Sequence, residues 1–182
     1  MKKKILYIVL TALLSFFLFV LYQIMNPVSP LETVIYDSDD KNISVSYSRP
    51  QKKGRLVFGN ESDGALVPYD MYWRTGANRH TTIETNVDLK INNNILQPGK
   101  YSLFTIPGEE FWEVTFNSSN SYFGIMRPAL EKDLFTVTVP SKSLEMVIEQ
   151  LTIDFVSSTA EDNPTVDLRL RWDTTEIIIP LN

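Results

Sequence analysis

The chain has 182 residues, no cysteine, a single histidine, and 17 basic against 22 acidic side chains, for a net charge of -5. That length fits one ordinary domain with an appendage. The missing cysteines exclude disulfides, thiol catalysis and a lipid-modified N-terminal cysteine, and the acidic balance argues against nucleic acid as a partner.

Lys2, Lys3 and Lys4 precede the run Ile5–Met25, which holds 21 residues with no charge, glycine or proline. At about 1.5 Å per residue a helix of that length reaches about 31 Å, enough for a hydrocarbon core of roughly 30 Å. A cleaved signal peptide would have a shorter apolar stretch and a small-x-small site. Here the run is followed by Asn26-Pro27-Val28-Ser29-Pro30, where the one small candidate precedes a proline. The reading is therefore an uncleaved signal-anchor helix over residues 5–25, with residues 1–4 as a cytoplasmic basic flank. The bilayer is then a partner, and the chain is a single-pass membrane protein with its domain periplasmic or extracellular, in the cell envelope. Without its three N-terminal lysines the chain keeps 14 basic against 22 acidic groups, so the exported part carries -8.

Residues 26–41 read as a spacer. They hold prolines and the cluster Asp37-Ser38-Asp39-Asp40, with Val34-Ile35-Tyr36 as an edge-strand candidate. From residue 42 to 182 the period is two. Ile43, Val45 and Tyr47 alternate with serines, and similar runs follow at Leu56–Phe58, Thr81–Ile83, Val87–Ile91 and Tyr101–Ile106, the last held between Pro98-Gly99 and Pro107-Gly108. Strands are also predicted over Phe111–Phe116, Leu134–Val139, Val147–Val156, Val166–Trp172 and Glu176–Ile179, with one helical turn between Arg127 and Asp133. The last two strands read as a hairpin turning at Asp173-Thr174. The fold class is all-β: a single antiparallel sandwich or jelly-roll-like domain of roughly ten strands behind one transmembrane helix.

Catalytic chemistry is hard to place. His80 is the only imidazole, and no Gly-x-Ser-x-Gly elbow offers a serine nucleophile. No cofactor motif occurs, and Asp37–Asp40 lacks the ligand spacing of a calcium loop, so no metal is expected. Glu109, Glu110 and Glu113 are the carboxylates a hydrolase of envelope glycans or peptides would draw on.

The window Arg49–Arg79 differs in kind. It gathers Arg49, Lys52, Lys53, Arg55, Arg74 and Arg79 with Tyr69, Tyr72 and Trp73 and four glycines inside an otherwise acidic domain. Arginine forks suit carboxylates and phosphates, and flat aromatic faces suit sugars. The competing reading places Trp73 in the core and Arg74 in an internal ion pair. The expected ligand-facing set is Arg49, Lys53, Arg55, Tyr69, Trp73, Arg74, Thr75 and Asn78, for a small anionic or carbohydrate ligand.

The strings Tyr47-Ser48-Arg49-Pro50, Lys53-Gly54-Arg55, Leu66-Val67-Pro68-Tyr69, Trp73-Arg74-Thr75-Gly76-Ala77-Asn78 and Pro98 through Gly108 resemble the bacterial family of domains of unknown function numbered 2911. The resemblance runs from about Ser29 to the C-terminus. It implies an exported β domain and brings no reaction with it. It also implies an acidic and then a small residue after Asn78, where this chain has Arg79 and His80.

Overall fold

A computed structural model describes residues 2–26, 28–38, 40–120, 126–158 and 165–182. Pro27 of the expected spacer and Asp39 of its acidic cluster lie outside these residues.

The uncharged run forms helix α1, Lys2–Met25, a single helix long and apolar enough to cross a membrane. Its large apolar side chains from Ile5 to Tyr22 lie exposed, as suits a helix packed against no other part of the described chain. The following segment supplies a full edge strand, β1 (Leu31–Ser38), paired antiparallel with β2 (Lys41–Ser48) from Leu31 opposite Ser48 to Ser38 opposite Lys41. The period-two reading of β2 holds, since Ile43, Val45 and Tyr47 are all buried.

Two short pairs lie outside the main sheet: β3 (Phe58–Gly59) with β4 (Val67–Pro68), and β6 (Leu89–Ile91) with β7 (Asn94–Leu96). The main sheet continues through β5 (Thr81–Thr85), β8 (Gly99–Ile106), β9 (Phe111–Asn117), β10 (Asp133–Ser158) and β11 (Thr165–Leu181). Its seven strands run in the order β1-β2-β5-β8-β9-β10-β11, every neighbour antiparallel. The result is a large curled antiparallel sheet of seven strands with two short pairs beside it, eleven strands among the described residues, behind one helix.

Two expectations need correction. Leu134–Val139 and Val147–Val156 are parts of one 26-residue strand, β10, which pairs with β9 up to Pro140 and with β11 from Ser141. The hairpin at Asp173-Thr174 does not exist. β11 runs straight through, because β10 carries register shifts on both sides of Ile148, opposite Asp173, which adopts a left-handed φ of 55°. The extra residues sit on β10, and a bulge does not reverse the strands it joins, so the turn-forming residues of β11 lie within a continuing strand.

The curl brings the segment after β2 against β10. Leu151 N donates to Pro50 O (3.0 Å), and Lys52 N to Glu149 O (2.7 Å). The Tyr47 hydroxyl accepts from Ile153 N at 2.9 Å and lies 3.2 Å from Ile153 O. Burial pushes that phenol up to about 12. At the other edge Lys90 and Asn182 exchange two backbone bonds and fix the end of β11 to β6.

Phe58 lies amid three tryptophans, with ring centroids 4.8 Å from Trp112, 5.6 Å from Trp73 and 6.0 Å from Trp172. Burial of a large apolar side chain contributes about 1.5–3 kcal/mol, so this aromatic group is a substantial part of the core's stabilisation. The loops that carry the arginine-rich window are built around it.

Candidate functional site

Trp73 opens the loop that matters most. Its backbone exchanges two hydrogen bonds with Thr105 of β8 (2.8 and 2.9 Å), and its indole donates to Gly76 O at 3.0 Å. Thr75 is fully buried with a φ of 56°, a conformation β-branched residues rarely take, and its hydroxyl donates toward Thr105 Oγ1 at 3.1 Å. Thr81 Oγ1 donates to Thr75 O at 2.6 Å. A Cβ on Gly76 would lie 2.9 Å from Ser48 O, so only glycine lets the loop pack against β2. Asn78 closes the loop, also left-handed at φ 61°.

This rigid loop forms one wall of a groove of about 370 Å³. This loop lines it with Trp73, Arg74, Gly76, Ala77 and Asn78, the preceding chain with Pro50, Arg55, Leu66 and Val67, and β11 with Trp172. Trp73 and Trp172 stack with centroids 5.9 Å apart and planes 20° from parallel. Val28 and Ser29, just beyond α1, complete the lining. The volume falls within the range of small-molecule sites.

The groove gathers Arg55, Trp73, Arg74 and Asn78 from the expected set. Arg55 is held by Lys52 O (2.9 Å) and Gln51 O (2.6 Å), and Arg74 by Asn78 O (3.2 Å). These bonds use only some of the five donors each guanidinium offers. Among the described residues neither has a carboxylate within ion-pair distance, whereas Arg49, Arg127, Arg169 and Arg171 all do. The internal ion pair considered for Arg74 is absent among those residues.

The other four lie elsewhere. Arg49 joins strands, with Nη1 2.8 Å from Glu32 and Nε donating to Leu151 O. Lys53 is exposed, its N–H donating to Glu149 Oε1 at 2.7 Å. Thr75 is internal to the loop. Tyr69 lines a separate cavity of about 340 Å³ with Glu109, Glu110, Trp112 and Lys142, and burial, with Glu109 beside it, pushes its phenol up. Trp172 is the groove residue that sequence reasoning missed, since nothing local to β11 indicates that it meets Trp73.

His80 precedes β5 and is buried, with Nε2 3.0 Å from the Tyr72 hydroxyl and 3.1 Å from Met126 O. Burial pushes its pKa down, as does Arg74, against the bond to Met126. Tyr72 is pushed up to about 12 by burial. Nearby, Arg127 lies 4.7 Å over the Phe104 ring and 2.5 Å from Asp133. Among the described residues no group of three or more His, Asp or Glu side chains is placed to hold a metal. Asp37, from the acidic cluster, accepts from Asn42 at 3.1 Å.

No curated protein and no solved structure matches the chain. A family model does match, over residues 29–181, which takes in the whole β domain and every residue of the groove except Val28. The chain belongs to that family, described as protein of unknown function DUF2911.

Proposed function

We propose that the protein is a membrane-anchored binding module of the cell envelope, with α1 as an uncleaved anchor, its N-terminus cytoplasmic, and the groove as the site for a small anionic ligand. The observation that carries this reading is the pair Arg55 and Arg74, the groove's two arginines, each without a carboxylate partner among the described residues. Two guanidinium forks at one concavity suit a phosphate or carboxylate, and Trp73 with Trp172 offers an apolar surface for the rest of the molecule. Asn78 adds a polar side chain at the rim.

A hydrolase would need two carboxyl groups beside the arginines. Among the described residues the groove lining includes no carboxylate, and Glu109 and Glu110 belong to the other cavity, whose described lining has no arginine. The geometry therefore favours binding.

The test is thermal denaturation of the detergent-solubilised full chain with glycerol 1-phosphate, inorganic phosphate and glucuronate. A ligand at one hundred times its Kd stabilises by about 2.7 kcal/mol. At least one anion should raise the Tm of the native chain and leave an Arg55→Gln/Arg74→Gln variant unmoved. An equal shift in both proteins, or no shift with any anion, contradicts the reading.

A further inference from the structure

We infer that the anion is the phosphate of an anionic phospholipid drawn from the membrane in which α1 sits. The inference rests on the groove's being an anion site and α1's being an anchor, and adds the identity of the ligand.

The first observation is covalent. Val28 and Ser29 are part of the groove wall, and α1 ends at Met25. Three residues of fully extended chain reach at most about 11 Å. The polar layer of one leaflet is roughly 5–8 Å thick, from the difference between a bilayer's full and hydrocarbon thicknesses. A helix that fills the hydrocarbon therefore keeps the groove's lip at or just above the headgroups. Ser29 O lies 3.5 Å from Asn78 Nδ2, and Pro30 O accepts from Arg49 N at 2.9 Å, so the tether is pinned to the domain at the groove.

The second observation is the surface around the arginines. Val28 is 70% exposed, Leu66 40% and Leu56 44%, placing apolar side chains at or beside a site whose Arg55 is exposed and Arg74 half-buried. Exposed apolar side chains next to tryptophan and arginine suit the boundary between acyl chains and headgroups. The third is charge. Residues 26–182 carry -8, so the domain as a whole is repelled by an anionic surface, and attraction must be local to a site such as this one. A soluble phosphorylated metabolite would satisfy the same arginines but would leave the tether's place in the wall without a role.

The experiment places the full chain in nanodiscs of phosphatidylcholine, of phosphatidylcholine with one part in three phosphatidylglycerol, and of phosphatidylcholine with soluble glycerol 1-phosphate added. The expected result is a Tm about 5 °C higher with phosphatidylglycerol than with phosphatidylcholine alone, as for a ligand well above its Kd on a chain of this size. That shift should vanish in Arg55→Gln/Arg74→Gln and be reduced in Arg55→Lys/Arg74→Lys, which keeps the charge but not the fork. The lysine variant also serves if the glutamine variant fails to fold. A phosphatidylglycerol shift that survives in both variants overturns the inference. A shift with glycerol 1-phosphate but none with phosphatidylglycerol overturns the lipid and leaves the anion site standing. No shift with either overturns both.

Discussion

The arginines divide into those that hold strands together and those that do not, and substitution should separate them. Arg49 donates to Leu151 O and Thr152 Oγ1 and pairs with Glu32, so Arg49→Gln removes two part-buried hydrogen bonds and an ion pair and should cost about 1–2 kcal/mol in urea denaturation. Arg55→Gln and Arg74→Gln should each stay within about 0.5 kcal/mol of the native chain, as expected of surface positions. Gly76→Ala pushes a methyl group against Ser48 O and should destabilise by about 1–3 kcal/mol whatever the groove binds. His80 gives a pH signature. Its native pKa is lowered by burial, so the unfolded chain binds the proton more readily. The chain therefore loses stability as pH falls through 6.5, the unfolded value, towards the lower native one. The Tm difference between the native chain and His80→Gln, followed from pH 8 to 5, should change across that window. A constant difference would mean that His80 titrates alike in both states. At this scale the arginines and Trp73 were legible as a group, because charge and aromatic density are visible in one dimension. Which arginine meets a backbone carbonyl and which meets Glu32 depends on β1, β2 and β10 coming together, and no spacing encodes it.

Element by element, alternation located the strands well and their ends poorly. Ile43, Val45 and Tyr47 told the buried face of β2 directly. Asp173-Thr174 was misread because the left-handed residue of a bulge and that of a hairpin turn draw on the same residue types. Opposite the irregular stretch of β10 stands Asp173, left-handed at φ 55°, whose carboxylate pairs with Lys52. Asp173→Asn keeps a residue tolerant of positive φ and loses only the charge, whereas Asp173→Ala loses both. The alanine variant should be the less stable of the two, by about 1 kcal/mol. Equal stability of the two would mean that the ion pair, which both variants lose, and not the backbone, sets the cost. The groove is tied to this position too, since Trp172, which lines it, is the residue before Asp173.

For the whole molecule, the sequence told that an apolar helix precedes an acidic β domain, because length and charge are additive properties. It could not tell that residues 28 and 29 line a groove with Trp73 and Trp172, which is a property of the curled sheet. If α1 is an uncleaved anchor, the chain should stay in the membrane pellet after alkaline carbonate extraction and keep Met1. Protease added to right-side-out vesicles should digest the β domain or be resisted only by its fold, while a tag before Lys2 stays protected. A mature N-terminus between residues 26 and 31 would contradict the anchor.

The most direct measurement of the central claim is a two-dimensional NMR titration of the full chain in neutral micelles, following arginine Nε–Hε and tryptophan indole signals as glycerol 1-phosphate is added. The account predicts that Arg55 and Arg74 move together with the indoles of Trp73 and Trp172, while Arg49, Arg127, Arg169 and Arg171 stay where they are. Movement of the ion-paired arginines with Arg55 and Arg74 unmoved would contradict it.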